Sequence, residues 1–493
     1  MRSLCRVLVV GLAVIVATGA VVEVVPPSKG NPSYATRKGL VAPQTDISSI
    51  VSVVRNVNQK GGAAPDDLPN QEVAETIVTA VDGRVTESGP SSSEKSSELK
   101  TPAIRRALED YRVLFWGTGV QSEDRDASVE GTAYLTHTLV PNTTYNVEAC
   151  LDYCSSVEGC VFANLYYEFN NYWLDFETPD KSNLKCALYG DVHGEEEKTN
   201  YGGQQSYLAP APLIYIQQSS GFVLDGGAVD PQPETPEGYA LVFESDKATE
   251  APAYMEFFLL DKYDVDTCAR ECNQHAPDSI GGVCQFFNIW RAVIDGVPVT
   301  YVCVLFSLPT DEATAIYPGE DDVQVTLSRG YMRQNLVIDG GFEAYDGCLD
   351  FCYEEAYEHW IGTSPAGGKD DATIFRAAMY ARTAQTVGLL GSATGADSFA
   401  GTLTPANTLT TIEGRVYKVA LFQNSAYSGP TFQKDSFLEI LWNGEVVKTV
   451  RPGYSDWAFV EAEVVAEGDD VVEIRGGKAP AWTFVDDIGV WLL

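Results

Sequence analysis

The chain has 493 residues, enough for about two to four folded domains. Its 69 acidic side chains outnumber its 33 basic ones, for a formal charge of −36. That balance argues against a nucleic-acid partner, because such binding rests on lysines and arginines that neutralise phosphates; it suits solubility or an ion-rich exterior.

Residues 1–20 read as a secretory signal. Arg2 and Arg6 form a basic start, Val7 to Val16 an apolar core, and Thr18-Gly19-Ala20 a small-residue cleavage site. The apolar run nearly continues through Val21-Val22-Glu23-Val24-Val25, the pattern of an uncleaved anchor, but Glu23 and Pro26-Pro27 interrupt it. Stable membrane insertion is therefore not expected. Residues 21–106 follow as a disordered tail or propeptide, rich in Pro, Ser, Gly, Glu and Lys, with Tyr34 as the one aromatic. Within it, Asp46 to Val54 and Val73 to Val81 carry enough apolar residues for transient helices. Arg105-Arg106 offers a dibasic processing point, or is a surface pair at a helix start.

Next comes a cysteine pattern that occurs twice. The first copy runs Tyr145-x4-Cys150-x3-Cys154, then Cys160-Val161-Phe162-Ala163-Asn164, then Cys186-Ala187-Leu188-Tyr189. The second runs Tyr263-x4-Cys268-x3-Cys272, then Cys284-Gln285-Phe286-Phe287-Asn288, then Cys303-Val304-Leu305-Phe306. Fixed leading spacing with drifting later gaps marks a duplicated module. Residues 107–222 form one copy, 223–238 a Gly/Pro-rich linker, and 239–334 the other. Of 11 cysteines, Cys5 belongs to the signal; the even remainder of a secreted chain implies disulfides rather than metal ligands. Asn142-Thr143-Thr144 places a glycosylation acceptor at Asn142. In each copy the Cys-x3-Cys pair fits one helix face, with Asn146-Val147-Glu148 and Asp264-Val265-Asp266 as helix starts. The Cys-x-Phe-x-Asn and Cys-x-Leu-aromatic pieces read as strands. Spacing alone leaves three connectivities per module. Asn164 and Asn288, at one offset, are expected to satisfy buried backbone groups.

This pattern resembles the PAN/apple module in the four-cysteine form of secreted fungal proteins. The resemblance implies nested bridges, Cys150–Cys186 with Cys154–Cys160, and Cys268–Cys303 with Cys272–Cys284.

Residues 335–493 have an all-β texture. Leu409 to Phe422 reads as strand, Gly414 turn and strand; Phe437 to Val450 reads as a hairpin around Asn443-Gly444; Val460 to Val464 alternates cleanly before a turn at Glu467-Gly468-Asp469-Asp470. These elements predict a β-sandwich. The segments Gly340-Gly341-Phe342-Glu343, Trp360 and Trp482-Thr483-Phe484-Val485-Asp486-Asp487-Ile488 resemble carbohydrate-binding modules of families four and nine and their galactose-binding-like jelly-roll relatives. The chain departs from them by inserting Cys348 and Cys352, a pair that closes a loop, bonds another chain or joins the modules. The whole is expected to be mainly β with α+β modules: two disulfide-stapled PAN/apple-like domains followed by a β-sandwich jelly roll.

The second resemblance implies a structural calcium held by Glu343, Asp486 and Asp487, against the simpler reading of solvated turn residues. Sugar binding in such sandwiches uses exposed aromatic rings, and Tyr427, Trp442 and Trp457 are the candidates; alternation groups Trp442 with Leu438 and Ile440, on the core side. Catalytic signatures are missing: His137, His193, His275 and His359 have no zinc spacing, and no nucleophile elbow or phosphate loop occurs. The expectation is a secreted, extracellular or cell-wall-associated protein that is not an enzyme. It would recognise polysaccharide or glycoprotein glycans; the alternative is adhesion to an extracellular protein through the PAN-like modules.

Overall fold

The computed structural model describes residues 43–59, 110–119, 125–141, 145–172, 182–204, 212–225, 231–278 and 281–493. The signal, Arg105-Arg106 and Asn142 lie outside the described residues. What is described is mainly β, with several antiparallel sheets and few helices.

Two sheets share one plan. The first orders its strands Tyr111–Phe115, Tyr215–Leu224, Phe162–Phe169, Ser182–Tyr189 and Tyr134–Val140. The second repeats that order with Tyr239–Ser245, Val323–Arg333, Phe286–Ile294, Val297–Phe306 and Tyr254–Leu260. Each carries one ten-residue helix, Val147–Ser156 or Val265–Gln274, started by a side-chain cap: Asn146 accepts the Ala149 N–H at 3.1 Å, and Asp264 the Thr267 N–H at 2.8 Å. Residues four apart share a helix face, so both cysteines of each pair are buried toward the sheet. The bridges are Cys150–Cys186, Cys154–Cys160, Cys268–Cys303 and Cys272–Cys284, the nested arrangement. The two longer ones close 36 and 35 residues, each removing roughly 4 kcal/mol of loop entropy from the unfolded chain. Asn164 and Asn288 do equivalent work. Each amide oxygen accepts a buried N–H, from Val129 at 2.9 Å or Thr249 at 2.8 Å, and each amide nitrogen donates to a serine hydroxyl and a carbonyl.

The stretch read as a tail holds a packed element. Ile47–Gln59 is a helix, capped where Asp46 accepts the Ser49 N–H at 3.1 Å. Ile50, Val51 and Val54 bury against Phe243, Trp290 and Val304, on the face of the second sheet opposite its cysteine helix. Arg55 reaches Asp322 at 2.9 Å and Asp321 at 3.3 Å. The helix expected to be transient over Asp46 to Val54 is docked, because its i, i+1, i+4 apolar stripe needs only a sheet ready to receive it.

Residues 335–493 build the β-sandwich. One sheet orders Cys352–Glu354, Ala372–Arg376, Thr386–Leu390, Thr483–Leu492, Val416–Asn424 and Ala458–Val465; the other orders Trp360–Thr363, Gly401–Pro405, Val472–Gly476, Leu438–Trp442 and Glu445–Val450. Phe342, Trp360, Val419, Leu421, Ile440, Ile474 and Val485 fill the space between them. The hairpin at Asn443-Gly444 is present, with φ of 51° and 82°, the left-handed pair such a turn requires. The strand expected before Gly414 is not. Leu409 makes one isolated bridge to Asp470, and Thr411 donates its hydroxyl to the Asp470 carboxylate, so a side chain replaces the ladder there. Cys348 and Cys352 are bonded to each other and close a loop.

The second cysteine module is seated on the sandwich. Val283 packs against Ala420 and Trp491 on the outer face of the six-stranded sheet, and Arg333 donates to the Leu492 carbonyl at 2.7 Å.

Candidate functional site

Alternation along the six-stranded sheet sends Val485, Leu421 and Val419 inward and Phe484, Phe422 and Ala420 outward. The outward half away from Val283 carries a cluster of aromatic rings. Phe375, Val387, Leu389 and Phe484 form its floor, and Tyr380, Trp457 and Trp482 pack partly buried upon it. Tyr380 stacks on Phe484 at 5.3 Å and on Phe375 at 5.8 Å. Tyr427 stands edge-on to Tyr380, Trp482 and Phe484 at 5.2, 5.5 and 5.9 Å, and is 50 % exposed. A ring half in solvent and braced on three sides is already fixed before a ligand arrives, which lowers the entropy cost of binding.

The loop that presents Tyr427 is pinned by its neighbours. Ser425 donates its N–H to the Ser455 carbonyl at 2.8 Å and its hydroxyl to the Gly453 carbonyl at 2.6 Å; Ala426 donates to Asn424 at 2.9 Å. Asn424 in turn donates to the exposed Asp456 at 2.9 Å, beside Trp457. Trp482 donates its indole N–H to the Ser392 carbonyl at 2.8 Å. Gln433 donates to the Trp482 carbonyl at 3.0 Å, while its wholly buried Oε1 has no hydrogen-bond partner among the described residues. Burial, and the Tyr427 hydroxyl beside it, push the Tyr380 phenol up, so its hydroxyl remains a neutral donor and acceptor. Apolar ring faces ringed by amide, carboxylate and hydroxyl groups can hold a molecule with an apolar face and a hydroxyl-rich edge.

Of the three predicted sugar-contacting aromatics, the fold brings Tyr427 and Trp457 together here. Trp442 is a correction: it lies in the core between the sheets, on the side of Leu438 and Ile440, and offers no ring face to a ligand. Tyr380 was not identifiable from sequence, because Ala377 to Tyr380 has no period, and it reaches the site by crossing the sheet. Trp482 could have been found from its place beside Asp486-Asp487 on the last strand.

Glu343, Asp486 and Asp487 also converge, on the segment 382–386. Asp486 is buried, and its carboxylate accepts the N–H of Arg382 at 2.9 Å, of Thr383 at 3.2 Å and of Asp487 at 2.9 Å. Asp487 accepts the Arg382 guanidinium at 2.7 Å and the Thr383 hydroxyl at 3.0 Å. Glu343 accepts the N–H of Gln385 at 2.7 Å and of Thr386 at 2.8 Å. Burial and the neighbouring Asp487 raise Asp486 well above the usual carboxylate range; burial also raises Glu343. Calcium wants about six to eight oxygen ligands, whereas this set presents N–H donors and a guanidinium to the carboxylates. Among the described residues no group of three or more His, Cys, Asp and Glu side chains is arranged to hold a metal. The donors do not fit calcium; Arg382 supplies the compensating charge.

No family model matches the chain, and no curated protein matches it. Solved structures similar to part of it include TmCBM61 in complex with beta-1,4-galactotriose, at 15% identity over 32% of this chain and 99% of that one, TM-score 0.23. The CBM22-1 xylan-binding domain from Paenibacillus barcinonensis Xyn10C is similar at 11% identity over 32% and 94%, TM-score 0.21. Arabinose-bound MgGH51 α-L-arabinofuranosidase is similar at 12% identity over 32% of this chain, TM-score 0.24, but the chain spans only 26% of it. Likenesses of this size leave the ligand to be argued from the site itself.

Proposed function

We propose that the chain is a secreted, non-catalytic binding protein whose C-terminal sandwich recognises carbohydrate through the Tyr427 cluster. The observation that carries this reading is the half-exposed Tyr427, braced by Tyr380, Trp482 and Phe484 and flanked by Asn424 and Asp456. Sugar rings offer what such a surface takes, a C–H face for the aromatic and hydroxyls for the polar rim. Five disulfides among the described residues support an oxidising, extracellular setting; no helix of those residues is long and apolar enough to cross a membrane. The shared strand order and nested bridges support reading the two cysteine modules as PAN/apple-like.

The test is saturable binding of the full chain to immobilised neutral polysaccharides, competed by the soluble sugar. Tyr427→Ala is expected to weaken binding at least about tenfold while the chain stays folded with a melting temperature only a few degrees lower, the effect of one lost aromatic anchor. Release of reducing ends is expected to stay at background. A folded chain that binds no glycan would move the assignment to protein adhesion through the cysteine modules.

A further inference from the structure

The aromatic cluster does not end at Tyr380. Phe375, beneath it, makes an edge contact at 5.4 Å with Phe351, which is 65 % exposed. Phe351 belongs to the loop closed by Cys348–Cys352, and Leu349 in the same loop is 94 % exposed. A short bridged loop that holds two large apolar side chains in water exposes surface that hydrophobicity alone would bury.

The loop is also rigid. Phe351 donates its N–H to the Arg376 carbonyl at 2.8 Å, and the next residue, Cys352, pairs with Arg376 as the edge of the six-stranded sheet. Arg376 is itself tied to the Tyr345 carbonyl at 2.6 Å and to Gln385 at 3.1 Å. Phe351 has φ 57°, a left-handed backbone that an aromatic residue rarely adopts and that the bridge and the Arg376 contact hold in place. Ring-to-ring steps of 5.4, 5.8 and 5.2 Å thus link Phe351, Phe375, Tyr380 and Tyr427, with Met379, 68 % exposed, alongside.

Resting on the carbohydrate reading above, we infer that the disulfide-closed loop extends the Tyr427 platform into a second subsite, with Phe351 as its aromatic contact, and that the ligand is an extended, uncharged glycan chain. Continuity of the rings selects a chain over a single sugar, since Tyr427 and Phe351 are exposed at opposite ends of one packed bridge of rings. Charge selects a neutral one. Asp346, Asp350, Glu354 and Glu355 surround the loop and are exposed, on a chain whose formal charge is −36, so uronate or sulfate polymers and anionic bilayers are repelled.

The experiment titrates the full chain and its Phe351→Ala variant with neutral xylo- and galacto-oligosaccharides from disaccharide to hexasaccharide, with polygalacturonate as the charged control. Phe351 is exposed, so the variant is expected to keep its melting temperature. Wild type should gain affinity with length. The variant should match it on the disaccharide and fall about tenfold behind on the hexasaccharide, the loss of one aromatic contact. Cys348→Ser/Cys352→Ser should show the same length-selective loss through loop mobility. Wild type that binds with a length profile identical to Phe351→Ala overturns the second subsite while leaving the Tyr427 reading intact. Equal binding of polygalacturonate overturns the neutral-ligand assignment. Wild type that binds no sugar overturns the carbohydrate reading and this subsite with it.

Discussion

Replacing Arg382 by methionine tests whether a guanidinium holds together the carboxylates of the sandwich. Arg382 and Asp487 meet at 2.7 Å with side chains only 5 % and 14 % exposed. The guanidinium also lies 3.3 Å from the Phe422 ring centroid, and the buried Asp486 accepts the Arg382 backbone N–H at 2.9 Å. Methionine keeps the apolar stem over Phe422 and removes the charge. Breaking one side of a buried pair costs roughly 3–5 kcal/mol, because the partner is left buried and uncompensated. For a sandwich of this size that corresponds to a melting temperature lower by roughly 6–20 °C. Asp487→Asn alone should cost less, since it also removes the charge that repels buried Asp486. The double variant should be more stable than the sum of the two losses requires, by about 1–3 kcal/mol. Acid should help Arg382→Met: burial and the neighbouring Asp487 already raise Asp486, and with the guanidinium gone Asp486 takes up a proton more readily in the folded chain, so the deficit shrinks as pH falls. Calorimetry of the three variants at neutral and mildly acidic pH is the assay. A cost under about 1 kcal/mol for Arg382→Met, or strict additivity with Asp487→Asn, would refute the reasoning.

Three other outcomes are expected. Chelator should leave the melting temperature of the wild type unchanged, since N–H donors and Arg382 already occupy Glu343, Asp486 and Asp487; a calcium-dependent rise that Glu343→Gln abolishes would count against this. Val54→Asp should undock the first helix, because it places a charge against Phe243, Trp290 and Val304; hydrogen exchange should show lost protection across 50–59 with the sandwich transition in place, and retained protection would contradict the packing. Buried Asp371 is pushed up to about 6, from 3.8, by burial and by the Asp397 carboxylate beside it. Its folded pKa is raised, so its stabilisation is whole below 3.8 and is lost as pH climbs through about 6. Asp371→Asn should flatten the stability profile in that window, and an unaltered slope would exclude this pair as its source.

What could be read in the sequence was what repeats or alternates. The cysteine spacing located both helices and, with the resemblance, the bridges; Asn164 and Asn288 declared their role by recurring at one offset. Asn443-Gly444 fixed its hairpin because few dipeptides accept two left-handed residues in a row. What depends on distant partners is less legible: Asp46 to Val54 reads only as a transient helix. The helix at Ile47–Gln59 gains its stability from a sheet nearly two hundred residues away, and no local window contains that sheet. Thr411 looked like strand but is held by Asp470. Asp486 and Asp487 stand out in the sequence as an acidic pair, yet their partner, Arg382, lies in an irregular connection between two strands, where neither period nor spacing reports which backbone donors will point inward.

The same connection decides where a ligand can lie. An outward sheet face is the natural place to receive an extended chain, but here its two halves are unequal. Toward Ala420 and Trp491 it is closed by Val283 of the second cysteine module, with Phe459 beside Gly282. At the middle Arg382 covers Phe422. The half floored by Phe375, Leu389 and Phe484 keeps aromatic surface in contact with solvent, through Tyr427 at one end and Phe351 at the other. A chain bound there cannot run along Thr483–Leu492 toward the second module; it must run across the neighbouring strands to the sheet edge, toward the bridged loop. The bridge therefore matters more for direction than for stability. By fixing Phe351 beside Arg376 it sets the end toward which the platform can extend, and the seated module blocks the other.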